Sequence, residues 1–294
     1  MVTFPLTQVN CHQLEEVFQQ ELYFWRKELL WDHGPSMKLI KKYISSQNLS
    51  GYAVGNTTGT ILGYGYYVIH FPVAYIGNIY VQSEDASPSV YAKLIDAILE
   101  KLKESQTIQR IEFQLFPFNC SIAPIFKAHR FVVMNRYFLI RELEQLDDKL
   151  DLLSSSSHVR ILPWSENFFY QAANTIYDSY QDSPDYMLCH DYQSQEGCIR
   201  FLNNLIKSPG CGKFNPQNSY LALNTAGEVC GVLITSKIGP QTGMVPQISV
   251  RKTYQGKGVG SMLLKTYFKQ GRKNSIKRLI LSVSEINFRA RKFY

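Results

Sequence analysis

Three glycines within five residues, Gly256, Gly258 and Gly260, are the strongest chemical signal in this sequence of 294 residues. They follow an alternating polar and apolar segment at 247–250, which is typical of a strand, and they precede apolar residues at helical spacing. The first backbone N–H groups of a helix have no partner inside the helix and carry partial positive charge. Because glycines let an anion approach the backbone and Lys257 adds a full charge, the segment is suited to bind a diphosphate.

Two common phosphate-binding loops do not match this segment. A Walker loop ends in Gly-Lys-Ser or Gly-Lys-Thr, and neither occurs here at the required spacing. A dinucleotide-binding fold uses Gly-x-Gly-x-x-Gly and an acidic residue about 20 residues later. These glycines have the spacing Gly-x-Gly-x-Gly, and the next acidic residue is Glu285. The pattern that fits is Gln-x-x-Gly-x-Gly after a strand, beginning at Gln255.

This pattern resembles the acyl-CoA loop of the GNAT superfamily of N-acetyltransferases. A second segment supports the resemblance, because an apolar strand at 279–283 leads to Asn287-Phe-Arg-Ala-Arg-Lys-Phe-Tyr294. That segment is similar to the family's Asn-x-x-Ala-x-x-x-Tyr helix. The distance from Gln255 to Asn287 accommodates one helix and one strand. The resemblance covers residues 158–294, and its alternative is a glycine-rich turn that binds no ligand.

The resemblance implies that acetyl-CoA is the cosubstrate. In this family a β-bulge separates the fourth strand from the fifth, and pantetheine lies in the gap, where backbone groups bind it. Tyr294 would act as the general acid that protonates the departing thiolate. No metal ligand is implied. The residues expected to contact the coenzyme are Ile248, Ser249, Val250, Gln255, Gly256, Lys257, Gly258, Val259, Gly260, Ser261 and Asn287.

The N-terminal half contains a repeat of the C-terminal half. The pattern Asn-Thr-x-Gly-x-Ile/Val-x-Gly occurs at 56–63 and again at 224–231. A repeat of this length indicates two copies of one domain. The fold class predicted is α/β (α+β), with two tandem GNAT-like domains, each a mixed, mostly antiparallel twisted sheet flanked by helices. The predicted boundaries are 1–145 and 158–294, with a linker at 146–157.

The first copy lacks the residues that would bind acyl-CoA. Its segment 86–91 has no glycine, Pro88 removes an N–H donor, and Tyr91 fills space. Phe126 stands where the second copy has Tyr294, and Asn119 stands where it has Asn287. We therefore expect a GNAT-like fold without acyl-CoA chemistry. Its role is either structural or to shape an acceptor pocket.

The second copy is shorter than the first at its C-terminal end. The first copy continues past Phe126 through about Arg141, whereas the second stops at Tyr294. Either the chain is truncated, or another element covers the sheet edge. An open edge favours association, so a homodimer is an alternative.

The general base cannot be identified from the sequence. Family members often carry a carboxylate at positions that here hold Gln247 and Ser282, and neither residue is a base at neutral pH. Four residues are candidates by type alone: Asp185, His190, Asp191 and Glu285.

The charge distribution agrees with a phosphorylated ligand. The net charge is +7, and residues 251–294 hold 12 basic residues against one acidic residue. Nucleic acid would also suit such a charge, but the phosphate loop favours CoA with its three phosphoryl groups. No apolar run is long enough to span a membrane, and no secretory signal is present. Six scattered cysteines indicate reduced thiols, so we expect a cytoplasmic location.

The resemblance thus implies an N-acetyltransferase that moves the acetyl group of acetyl-CoA to an amine by direct attack in a ternary complex. The acceptor, a small molecule or a peptide, is not specified. Two alternatives remain: a non-catalytic CoA-binding regulatory protein, and a transferase of a longer acyl group.

Overall fold

The chain divides into two compact units, residues 1–133 and 134–294. A computed structural model describes residues 1–116, 121–144 and 158–294 of the chain. Asn119 and the predicted linker at 146–157 lie outside the described residues. No helix within these ranges is long and apolar enough to cross a membrane.

The first unit is one five-stranded sheet with helices on both faces. The strand order is β1-β2-β3-β4-β5, and all neighbours are antiparallel except β4 and β5. Helix α3 packs on one face, and α1 and α2 pack on the other. In chain order the elements are β1 (Val2–Pro5), α1 (Glu15–Leu29), α2 (Gly34–Ser45), β2 (Gly51–Gly55), β3 (Ile61–His70), β4 (Val73–Val81), α3 (Pro88–Lys103), β5 (Arg110–Phe113) and α4 (Ala123–Ala128).

The second unit contains a larger sheet of the same kind. Its order is β6-β12-β11-β10-β9-β7, with the short β8 paired to β10, and only β11 and β12 run parallel. The elements are β6 (Arg136–Glu142), β7 (Val159–Pro163), α5 (Phe169–Tyr180), α6 (Gln195–Lys207), β8 (Lys213–Phe214), β9 (Tyr220–Asn224), β10 (Val229–Lys237), β11 (Thr242–Val250), α7 (Val259–Lys273), β12 (Arg278–Ser284) and α8 (Phe288–Phe293).

The repeated Asn-Thr-x-Gly segment forms the same turn in both units. The Asn56 side-chain oxygen accepts hydrogen bonds from the backbone N–H groups of Thr58 and Thr60. The Asn224 side-chain oxygen accepts from two backbone N–H groups in the same way. Gly59 and Gly227 have φ values of 88° and 80°, which glycine adopts without strain. The repeat therefore encodes a hairpin turn.

Strand β6 belongs to the second sheet, although it precedes the predicted linker. It pairs antiparallel with β12 along its whole length, from Arg136 opposite Ser284 to Glu142 opposite Arg278. The unit boundary thus falls at residue 133, whereas the sequence placed the end of the first domain at 145. The physical reason is that β12 would otherwise leave a row of unpaired backbone groups. Strand β6 therefore covers the edge of β12 in the second sheet.

Helices cover both faces of the sheet in the second unit. Helix α7 packs on one face through Leu263, Leu264 and Tyr267. Helices α5 and α6 pack on the other. A 3-10 turn at Glu166–Phe168 directly precedes α5.

Leu143, directly after β6, is predicted to stabilise the second unit. It is fully buried in the core beneath α7, and its N–H donates to the Lys277 carbonyl at 2.7 Å. Leu143→Ala should lower the free energy of unfolding by about 2–5 kcal/mol, because it leaves a cavity. Hydrogen exchange should show faster opening of β9–β12 and unchanged β1–β5. Val132→Ala, at a side chain that is 81% exposed, is the control. Faster hydrogen exchange in β1–β5 of Leu143→Ala would contradict the prediction that Leu143 stabilises the second unit.

A carboxyl group is buried in the first unit. Glu21 accepts hydrogen bonds from Trp25 Nε1 at 3.0 Å, Tyr64 OH at 2.8 Å and Asn78 Nδ2 at 3.0 Å. Burial raises the pKa of Glu21 to about 7, and the three donors oppose that rise. The pKa in the folded unit is therefore above the ordinary value of 4.5.

This carboxyl is predicted to make stability depend on pH. Its contribution to the free energy of unfolding is fully present below about pH 4.5 and decreases by about 3 kcal/mol as the pH rises to about 7. Glu21→Gln should remove this dependence, so the variant should gain stability relative to wild type across that range. Urea denaturation at several pH values measures the difference. Buried His33, whose pKa is lowered to about 4, contributes the opposite slope but is common to both proteins. A difference in the free energy of unfolding between Glu21→Gln and wild type that does not change with pH would contradict the prediction.

Candidate active site

A gap opens in the second sheet where β11 and β12 part. Two residues of β11, Val245 and Pro246, lie opposite one residue of β10, which defines a β-bulge. Pro246 has no N–H to donate. Among the described residues, β12 pairs with β11 only as far as Leu281 opposite Val245. The remainder of β11 is held by β10 alone.

The backbone of β11 faces this gap at alternate residues. The Arg251 N–H donates to the Cys230 carbonyl across the β10 ladder at 2.9 Å. In an antiparallel pair such residues alternate with residues whose N–H and C=O point away. The backbone groups of Ile248 and Val250 therefore point toward the gap. The Val250 carbonyl already accepts from Gln255 Nε2 at 2.9 Å, which is consistent with that direction.

The glycine turn lies between β11 and α7. Gly256 and Gly258 have φ values of 76° and 82°, a region that other residues adopt only with strain. A Cβ atom on either glycine would meet no atom within 4 Å, so the turn is open to a ligand. Gly258 is the N-cap of α7, and no side chain forms a capping hydrogen bond there. Lys257 extends over the Tyr254 ring, 5.5 Å from its centroid.

Gly260 has a different local requirement. A Cβ atom there would lie 3.2 Å from Phe293 Cζ, so the missing side chain lets α8 approach the first turn of α7. Arg289 Nη1 also donates to Gln255 Oε1 at 2.6 Å. The glycine turn and α8 are therefore in direct contact.

Asn287 caps α8 and is hydrogen-bonded on both sides of its amide. Its Oδ1 accepts from the Ala290 N–H at 3.0 Å, and its Nδ2 donates to Asp185 Oδ2 at 2.7 Å. One N–H of the amide is left for a ligand. One acceptor lone pair of Oδ1 also remains, so the amide can still donate to and accept from a ligand.

Tyr294 follows α8 and keeps its proton at neutral pH. Although 40% of the residue is exposed, loss of hydration at the phenol raises its pKa. The nearby Tyr180 and Asp185 raise the pKa further, and Arg136 opposes them. The phenol therefore has a proton to donate, although the raised pKa makes it a weaker acid than an ordinary tyrosine.

A family model matches most of the second unit. The model described as "Acetyltransferase (GNAT) family" matches residues 170–294, which include the gap, the glycine turn and α8. A search of curated proteins found no match.

Solved structures share the fold of the whole chain. A GCN5-related N-acetyltransferase from Sphaerobacter thermophilus has a TM-score of 0.57 and 13% identity, covering 80% of this chain and 71% of that one. A GCN5-related glucosamine N-acetyltransferase region of a fungal multi-domain GH3 β-N-acetylglucosaminidase has a TM-score of 0.62 and 14% identity. That match covers 99% of this chain and 36% of the fungal one. A tandem GNAT protein from the clavulanic acid biosynthesis pathway has a TM-score of 0.54 and 11% identity, covering 97% and 90%. These likenesses show the fold alone, and they confirm the predicted fold class.

The first unit has the same bulge but fills the corresponding space. Its β4 carries one extra residue, Gly77, opposite β3. Phe126, at the position of Tyr294, is fully buried and stacks on Phe113 with ring centroids 4.0 Å apart. Tyr91 is 1% exposed. Core aromatics therefore occupy the positions of the loop and the acid, and the absence of acyl-CoA chemistry in this unit stays a prediction.

The four candidate bases have different surroundings in the second unit. Asp185 lies beside Asn287 in the site. Asp191 is paired with Arg200 at 2.8 Å, and Glu285 accepts from Asn135 Nδ2 at 3.0 Å. His190 lies in the 3-10 turn before α6. Asp185 thus has a direct hydrogen bond to a predicted site residue.

A polar row on β11 joins Ser249, a predicted coenzyme contact, to Gln247, which was not predicted as part of the site. Gln247 and Ser249 are buried, and Gln247 Nε2 donates to Ser249 Oγ at 2.7 Å and to Tyr180 OH at 3.2 Å. Ser179 Oγ donates to Ser249 Oγ at 2.8 Å. Tyr180 stacks on Tyr192 with centroids 3.7 Å apart. The alternation of residues 247–250 indicated a polar face, but the sequence did not show what that face contacts.

Gly258→Ala is predicted to weaken acetyl-CoA binding beyond its effect on stability. Gly227→Ala is the matched control, because Gly227 has nearly the same φ and equally open space at its Cβ. Both variants should lose about 1 kcal/mol of stability from the strained backbone. Only Gly258→Ala should raise the Kd, about tenfold, as measured by calorimetry. Equal Kd values for the two variants would reject the turn as a binding element.

Proposed function

We propose that the second unit transfers an acetyl group from acetyl-CoA to an amine. The observation that carries the proposal is the gap between β11 and β12, which has free backbone groups along one side and the glycine turn at its end. The match of residues 170–294 to the GNAT acetyltransferase family model supports acyl transfer as the reaction class.

The chain offers two kinds of contact to the coenzyme. Backbone groups of Ile248 and Val250 would bind the pantetheine arm, together with the remaining amide N–H of Asn287. Backbone N–H groups from Gly256 to Ser261 would bind the diphosphate, since the helix N-terminus favours negative charge. Lys257 adds charge at the rim.

The reaction requires three proton movements. The acceptor amine is protonated at neutral pH and must lose one proton before its nitrogen can attack the thioester carbonyl. The new C–N bond forms and the nitrogen loses a second proton to solvent. The C–S bond breaks, and Tyr294 gives its proton to the departing sulfur. Tyr294 then regains a proton from solvent. An ammonium ion and acetyl-CoA thus yield an N-acetyl amide, free CoA and one proton.

Release of the CoA thiol in the presence of an amine panel tests the proposal. Thiol release that depends on both acetyl-CoA and an amine is the expected result. Binding of acetyl-CoA with no turnover of any amine would favour a regulatory CoA-binding protein. Faster turnover of longer acyl-CoA esters would reject the acetyl group as the preferred donor.

Tyr294→Phe is predicted to lower kcat about 100-fold, because it removes the proton donor for the thiolate. The Kd for acetyl-CoA should stay the same, since the ring and its packing are kept. Tyr170→Phe, at an exposed tyrosine of α5, is the control for loss of a hydroxyl group. Wild-type turnover by Tyr294→Phe would reject the assignment.

A further inference from the structure

One face of the second sheet presents polar groups next to the gap. Leu279, Leu281 and Val283 of β12 point into the core under α7. Because side chains alternate along a strand, Ser282 and Ser284 point to the opposite face, on the side of α5. Arg136 is paired with Ser284 across the β6 ladder and therefore shares that face.

Arg136 lies where the gap begins. Its Nη2 donates to Ser282 Oγ at 3.1 Å and to the Ser282 carbonyl at 3.4 Å. Ser282 comes directly after Leu281, the last residue of β12 that pairs with β11. Within the described ranges, no carboxylate forms an ion pair with Arg136 at 4 Å or less. The guanidinium thus retains its capacity to bind an anion.

The charge of Arg136 acts on the aromatic residues of this face. Burial raises the pKa of Tyr180, Tyr192 and Tyr294, and Arg136 opposes that rise in all three. Arg136 is therefore close to the proposed general acid and to the stacked tyrosine pair.

Two buried polar atoms on this side of the domain have no hydrogen-bond partner among the described residues. They are Ser284 Oγ, on a residue that is 1% exposed, and Asp185 Oδ1. Buried polar atoms are almost always paired in folded proteins, so such atoms indicate a missing partner. Asp185 carries negative charge at the site, whereas Arg136 carries positive charge.

We infer that this polar face is the acceptor site and that the acceptor is a free amino acid, with a carboxylate next to its amine. Arg136 binds the carboxylate through its planar pair of N–H donors, a geometry that a carboxylate matches. Asp185 attracts the ammonium group. The inference rests on the proposed function, because it names the substrate class of that site. It also assigns a ligand-binding role to strand β6.

The test compares acceptors that differ only in the carboxylate. Wild type and Arg136→Gln are assayed for CoA release with the standard amino acids, their carboxamides and the corresponding decarboxylated amines. Wild type should prefer the free amino acids. Arg136→Gln should lower kcat/KM for them at least about 30-fold, because an ion pair is truncated. Turnover of the amides and amines should fall much less than turnover of the free amino acids, and the Kd for acetyl-CoA should be unchanged.

Arg141→Gln is the matched control. Arg141 lies on the same strand, opposite Leu279, and therefore on the other face of the sheet. The Arg141→Gln variant should retain the preference for free amino acids. Equal use of acids and amides by wild type, or an equal loss on all acceptors in Arg136→Gln, would overturn the inference.

A binding measurement separates this inference from the proposed function. If acetyl-CoA binds but no acceptor is turned over, the transferase proposal fails. Saturation-transfer NMR with the amino acids on the CoA-bound protein then decides the inference. If acetyl-CoA does not bind, the same measurement is made on the protein alone. Amino acid binding that Arg136→Gln abolishes and Arg141→Gln keeps supports the site; any other result overturns it.

Discussion

The parallel pairing of β11 and β12 ends at a β-bulge in β11. The gap that forms the candidate active site opens where this pairing ends. Two residues of β11 lie opposite one residue of β10, and beyond them β11 follows β10 only. Buried backbone groups that lack a ladder partner are costly unless something else binds them. Gln255 Nε2 binds the Val250 carbonyl, and the other gap-facing groups of Ile248 and Val250 are therefore both a cost to the fold and a means of binding a ligand.

Strand β6 makes the open gap compatible with a stable β12. The last three residues of β12 have no partner on the β11 side, yet they stay in the sheet because Arg136, Tyr137 and Phe138 pair with them from the other side. In the first unit, β5 ends at Phe113, where its pairing with β4 also ends. The strand that is paired on its other edge, β12, is thus the one that extends along the gap.

Local patterns made much of this structure predictable from the sequence. The Asn-Thr-x-Gly turn needs only its own residues, and Gly256 and Gly258 adopt the conformation that a phosphate-binding turn requires. The role of β6 was not predictable in this way, because the repeat places residues 136–142 within the first copy and their pairing with β12 is a contact distant in sequence. For the same reason the polar face was missed. Arg136 reaches it through a register between strands that no local pattern encodes.

The insertion of β6 also has a consequence for how the protein is synthesised. Glu142 and Arg278 form a cross-strand ion pair at 2.6 Å, although 136 residues separate them. On the ribosome, β6 must remain without its partner while the intervening chain is made, and an unpaired strand of this kind is prone to aggregate. Its arginines and glutamate would keep the waiting segment hydrated during that interval. Completion of the second sheet is therefore a late event in translation, controlled by the emergence of β12.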